Sequence, residues 1–178
     1  MVLVVTIAGL AAMLPAYSHV RQTVSEIGEI GSQARVPFAV ALGIVALCIL
    51  LFAIALRNFA VQTHSPRLVA FFVGCMAPSV AGVAVFAHPH PLHNVFGLSE
   101  LIGYQAPLIL AVTWRHMPRA KPIVMLSGIV WGLTWIAVAL NFAPIEPYRG
   151  LAQRALFSLW FGWCAAIGTL LFRRRSMP

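Results

Sequence analysis

The chain has no aspartate, four glutamates and a single lysine, Lys121, among 178 residues. Charged side chains make up 9% of it, against about 25% in an ordinary soluble domain. The three cysteines, Cys48, Cys75 and Cys164, lie inside apolar stretches, and no CxxC occurs. This argues against a disulfide framework and a thiolate zinc site, and the cysteines read as small hydrophobes in helix packing. No P-loop-type glycine motif is present to cradle phosphates. The lone lysine sits between apolar stretches, so no span carries a Schiff-base lysine for retinal. The twelve basic residues give a net charge of +8, but they stand at the ends of apolar segments without a basic, aromatic-interleaved face, so nucleic acid is not expected as a partner. Topology signalling and anionic headgroups explain them better.

Apolar sequence is what the chain has in quantity. Hydrophobic residues make up 61% and the mean hydropathy is +0.90. No water-soluble core of this size can bury that much apolar surface, whereas a membrane helix needs roughly 20 such residues. The sequence predicts an all-α, polytopic membrane bundle of about six transmembrane helices in a single domain. Spans are expected near 2–16, 37–57, 67–87, 93–115, 122–143 and 150–172. Pro37, Pro66 and Pro122 fall at starts, where a missing N–H matters little. Pro78 and Pro107 fall inside spans, as kinks whose freed carbonyls need other donors. The first span is short. A signal peptide is its rival reading, since Leu14-Pro15-Ala16 suits a cleavage site, but the basic leading region is missing. A start codon assigned too late would also explain the shortness.

Orientation follows from the basic residues in short loops. Arg57, Arg67, Arg115, Arg119, Lys121, Arg173, Arg174 and Arg175 fall on one side; Arg21, Arg35, Arg149 and Arg154 fall on the other. Both termini are therefore expected in the cytoplasm, with a bacterial cytoplasmic (inner) membrane as the location. All four glutamates and four of the six histidines then belong to the outer side. Any chemistry is expected there.

Three outer-side features stand out. Over 18–35, Val20, Val24, Ile27 and Ile30 form one apolar stripe at helical spacing, and Thr23 with Glu26 fits a capping box. An amphipathic interfacial helix after the first span is expected, with Arg21, Ser25 and Glu29 on its other face, either meeting solvent and headgroups or roofing a cavity. Second, His88, His90 and His93 lie within six residues, and imidazoles suit a transition metal. Pro89 and Pro91 force an extended path there, so a Pro-stiffened polar hairpin is the plainer reading. Third, His93, Gly97, Glu100 and Tyr104 line one face of the fourth span, with Asn94 beside them. An acid at that depth is expensive unless paired or facing water. Arg154, with Gln153 beside it, lies at comparable depth in the sixth span. Glu100 and Arg154 are expected to pair or to share a ligand. Gly128 and Gly132 form a GxxxG, expected to serve close packing within the chain.

The run YSHVRQTVSEIGEIGS after a first span, together with HNVFG opening a later one, resembles the membrane proteins of the domain of unknown function 998 family. That family is similar in layout to the DRAM-like six-helix membrane proteins. The resemblance covers most of the chain and implies a six-helix bundle with polar residues on one side. It implies no settled activity.

Three roles are compatible with these residues. The first is binding of a lipid or small molecule, or service as an accessory subunit of a membrane complex. Its pocket would draw on Ser18, His19, Arg21, Ser25, Glu26, Glu29, His93, Asn94, Glu100, Tyr104 and Arg154. The second is a metal-dependent membrane hydrolase, with His88, His90 or His93 and His19 as ligands and Glu100 or Glu29 as base; Ser18 or Ser25 could instead be a nucleophile beside a histidine. The third is proton-coupled transport with Glu100 as carrier, weakened by the absence of an inverted repeat. Haem is weaker still, because no two histidines sit mid-span on facing helices. Binding ranks first.

Overall fold

The computed structural model describes residues 2–117 and 120–175, with side chains over 3–117 and 120–171. Arg119, and the side chains of Arg173, Arg174 and Arg175, which entered the charge argument, lie outside these. All regular structure among the described residues is helical. The α-helices are α1 (Val2–Ala11), α2 (Arg35–Gln62), α3 (Leu68–Val85), α4 (Pro91–Gly103), α5 (Ala106–Thr113), α6 (Lys121–Phe142) and α7 (Arg149–Arg175). Five stretches are long and apolar enough to cross a membrane: α2, α3, α4 with α5 as Pro91–Thr113, α6, and Glu146–Leu171. Large apolar side chains such as Val36, Phe71, Met125 and Ile136 point outward. A helix apolar all round in a small bundle faces lipid, so the chain is a membrane protein.

The helix α1 is shorter than the expected span. Its ten residues measure about 15 Å, half of the ~30 Å hydrocarbon core. It gives way to turns after Ala11, and Ala16 takes a left-handed φ of 63°, which a helix cannot accommodate.

The expected amphipathic helix over 18–35 does not form. The segment is a succession of turns around one 3-10 turn, Ser25–Gly28. Val24 and Ile27 are buried, but Val20 and Ile30, the ends of the stripe, are exposed. Gly28 lies against the Phe38 ring and Gly31 has φ +97°; two glycines weaken a helix by about 1 kcal/mol each. An isolated helix of this length is marginal in any case, and tertiary partners capture its backbone groups instead. Half of the capping box survives: the Glu26 carboxylate accepts from the Thr23 N–H (3.0 Å) and hydroxyl (2.9 Å).

The fourth span is broken at Tyr104 and Gln105, where α4 gives way to α5. Pro107 explains the break, since it has no N–H for the Gly103 carbonyl four residues back. That carbonyl accepts from Trp160 Nε1 of α7 at 3.1 Å instead. Gln105 braces the break twice, donating to the Leu101 carbonyl (3.1 Å) and accepting from Trp131 Nε1 of α6 (3.2 Å).

Packing runs in chain order: α1 on α2, α2 on α3, α3 on α4 and α5, α5 on α6, and α6 on α7. Ser79 of α3 and Ser99 of α4 share a 2.6 Å hydrogen bond. Trp163 of α7 donates to Ser127 of α6 at 2.8 Å. The GxxxG of α6 does not do what its spacing suggested. A Cβ at Gly128 or Gly132 would meet nothing within 4 Å, so no close approach among the described residues uses them. This topology puts 12–34, 86–90 and 143–148 at one end of the bundle, here the acidic end. The opposite end, carrying Arg57, Arg67, Arg115 and Lys121, is the basic end.

Candidate functional site

The turns over 17–24 are bolted to the first turns of α7. Arg154 Nη1 donates to the carbonyls of His19 (2.8 Å), Gln22 (2.9 Å) and Gly150 (2.8 Å). That nitrogen has two N–H bonds for three acceptors, so at least one is shared. Arg154 Nη2 donates to the Tyr17 hydroxyl (2.7 Å), which in turn donates to the Thr23 carbonyl (2.7 Å). Burial pushes the Tyr17 phenol above its ordinary pKa, while its hydrogen bond and charge contact with Arg154 pull the other way. Leu151 N–H donates to the Val20 carbonyl (3.1 Å), and Gln153 Oε1 accepts from the Val24 N–H (2.6 Å). Gly150 lets the backbones approach, because a Cβ there would collide with the Gln22 carbonyl and lie 2.7 Å from that of His19. On the far side, Ile30 N–H donates to the His88 carbonyl (2.8 Å).

Beneath this roof is a cavity of about 800 Å³. Thr23, Ser25, Glu26 and Glu29 line it from the roof; His88 from the loop before α4; His93 and Asn94 from the first turn of α4; Asn141 from α6; Arg149 and Gln153 from α7. Glu100, Tyr104, Met76 and Trp160 line its deeper part. Glu100 lies nine residues beyond Pro91, about 14 Å along the helix. Its carboxylate is buried and accepts from the Tyr104 hydroxyl at 2.8 Å. The i, i+4 spacing read from the sequence brings these two together.

The expected Glu100–Arg154 pair does not form. Arg154 spends its two Nη groups on the roof and on its own helix, and the ion pairs among the described residues are His88–Glu29 (3.9 Å) and Arg149–Glu146 (3.3 Å). Arg154 and His19 line a different cavity, between α1, α2 and α7. Ser18 serves the turn, its hydroxyl accepting from the Arg21 N–H at 3.4 Å, and Arg21 is exposed. The expected pocket residues thus split. Ser25, Glu26, Glu29, His93, Asn94, Glu100 and Tyr104 line one cavity, Arg154 and His19 another, and Ser18 and Arg21 neither.

The three histidines do not gather as metal ligands. His90 caps α4, its Nδ1 accepting from the Leu92 N–H at 3.2 Å. His93 Nδ1 is 2.8 Å from the Phe86 carbonyl and so carries its proton there. His88 and His93 meet edge to face at 5.9 Å. Among the described residues no three His, Cys, Asp or Glu side chains form a group that could hold a metal ion. The set His88, His90 and His93, with or without His19, is corrected accordingly: the extended path through Pro89 and Pro91 turns the rings to separate tasks.

A family model described as a protein of unknown function (DUF998) matches residues 1–170. The chain belongs to this family. No curated protein and no solved structure matches it. Four polar residues of the DUF998 chain's cavity, Thr23, Asn141, Arg149 and Gln153, were not singled out as pocket residues from sequence. Gln153 had a signal in its place one turn into the last span beside Arg154. Asn141 had one too, as an amide at the end of an otherwise apolar span. Gly150 could be found only from the close approach of two backbones.

Proposed function

We propose that this DUF998 protein is a membrane binding protein whose acidic-end cavity holds a polar group rich in hydrogen-bond donors, either a lipid headgroup or a small molecule. The observation carrying this reading is Glu100. A carboxylate has about four acceptor positions, and the Tyr104 hydroxyl supplies one donor. Burying such a group at membrane depth is costly unless a partner answers it. A donor-bearing ligand in the 800 Å³ space answers it, and that volume falls within the ~300–1,000 Å³ of ordinary ligand sites. Nothing comparable favours the hydrolase or the transporter. On the loop charges, the membrane is the bacterial cytoplasmic membrane, both termini are cytoplasmic, and the cavity opens outward.

The test is thermal unfolding of the protein in nanodiscs, with and without ethanolamine, glycerol, choline and phosphate. A donor-bearing probe present at about 100 times its Kd is expected to stabilise the wild type by about 2.7 kcal/mol. Glu100→Gln should lose most of that shift. Probes that shift wild type and Glu100→Gln equally, or not at all, would leave Glu100 as a structural partner of Tyr104.

A further inference from the structure

The acidic-end cavity adjoins a second one of about 890 Å³, running down the gap between α1, α2 and α7. Leu3, Val45, Phe157, Trp160 and Phe161 line both. The chemistry of this cleft is different: Ile7, Ile49 and Phe52 are typical of its walls, and its one charged residue is Arg154, beside His19 at the acidic end. Along α7 the cleft extends from Arg154 to Thr169, fifteen residues, or about 22 Å. One leaflet of hydrocarbon is about 15 Å deep, so an extended acyl chain fits with room to spare. One lip of the cleft is α1, whose ten described residues measure about 15 Å.

We propose that the cleft takes an acyl chain of an amine-bearing phospholipid, which enters sideways from the bilayer between α1 and α7 and places its headgroup across the shared wall in the acidic cavity. This rests on the binding reading above and names its ligand class. Charge complementarity selects the amine. Of the three glutamates lining the cavity, Glu26 gives one oxygen to Thr23 and Glu29 lies 3.9 Å from His88, while the cavity's arginine, Arg149, is paired with Glu146. Glu29 and Glu100 keep acceptor positions for an ammonium group. A cavity that wanted only a soluble solute would have no use for a 22 Å apolar extension.

The experiment measures lipid retained by the full-length protein purified from nanodiscs of equal phosphatidylethanolamine, phosphatidylglycerol and phosphatidylcholine. The wild type should retain the ethanolamine lipid at about ten times the amount of either other lipid, the ratio expected of one good charge-assisted contact. Leu3→Trp, which fills the junction, and Gly168→Leu, which fills the lower cleft, should abolish retention. Ile129→Trp, on the outward face of α6 and lining neither cavity, should behave as wild type. Glu100→Gln should keep a lipid in the cleft while losing the ethanolamine preference. Retention unchanged by both filling variants overturns the cleft. Equal retention of all three lipids overturns the amine. Shifts with soluble ethanolamine that depend on Glu100, with no retained lipid, overturn the lipid but leave the binding function standing. Absence of both overturns the two together.

Discussion

Arg154 illustrates how a residue can be picked out correctly from sequence and still be given the wrong partner. Its depth in the last span was readable, and an acid at matching depth was the obvious counterpart. Its actual partners are the carbonyls of His19, Gln22 and Gly150 and the Tyr17 hydroxyl. Backbone carbonyls leave no mark in a sequence, because every residue has one. Glu100 and Tyr104, by contrast, were legible because an i, i+4 pair on one helix needs no tertiary information. The two networks should therefore be energetically separate. Arg154→Gln is expected to destabilise by about 2–3 kcal/mol, as hydrogen bonds to a charged donor are lost and carbonyls are stranded. Combined with Glu100→Gln the effects should add within about 0.5 kcal/mol, whereas Arg154→Gln with Tyr17→Phe should couple by about 1 kcal/mol. Thermal unfolding of the three single and two double variants in one detergent measures this. Strong Arg154–Glu100 coupling would restore the pair expected from sequence.

At the level of elements, the misread segment is 18–35 and the informative one is the broken fourth span. The apolar stripe over 18–35 was genuine as a pattern, and its two middle members are buried. Periodicity alone cannot say that an arginine and a glutamine from another helix will claim the backbone groups a helix would have used. Pro107 marked a kink from sequence, but which donor takes the freed carbonyl required the fold. Trp160 Nε1 takes it. Trp160→Phe should cost about 0.6–1.7 kcal/mol, the range of hydrogen bonds inside membrane bundles. In a Pro107→Ala background the chain recovers its own N–H donor, and Trp160→Phe should then cost less than half as much. Equal costs in the two backgrounds would mean that Trp160 acts through packing rather than through the Gly103 carbonyl.

At the scale of the whole molecule, composition alone required a membrane, because 61% hydrophobic and 9% charged residues leave no soluble alternative at 178 residues. Loop charge then divides the bundle into an acidic and a basic end, and the fold puts the polar cavity at the acidic one, under the roof of 17–30. What composition could not show is that α1 ends at Ala11 and stands as one lip of an apolar cleft, since helix ends and close packing are decided by turn geometry and shape. The orientation is testable independently of any ligand. Tyr148 is exposed at the acidic end and His116 at the basic end, while the native cysteines all sit within helices. In intact cells, Tyr148→Cys should react with a membrane-impermeant maleimide, and His116→Cys only after permeabilisation, as the positive-inside rule requires. The opposite pattern would place the cavity mouth in the cytoplasm. The lipid headgroups within its reach would then be those of the inner leaflet, and the loop charges of this chain would have to be read as headgroup contacts rather than as a topology signal.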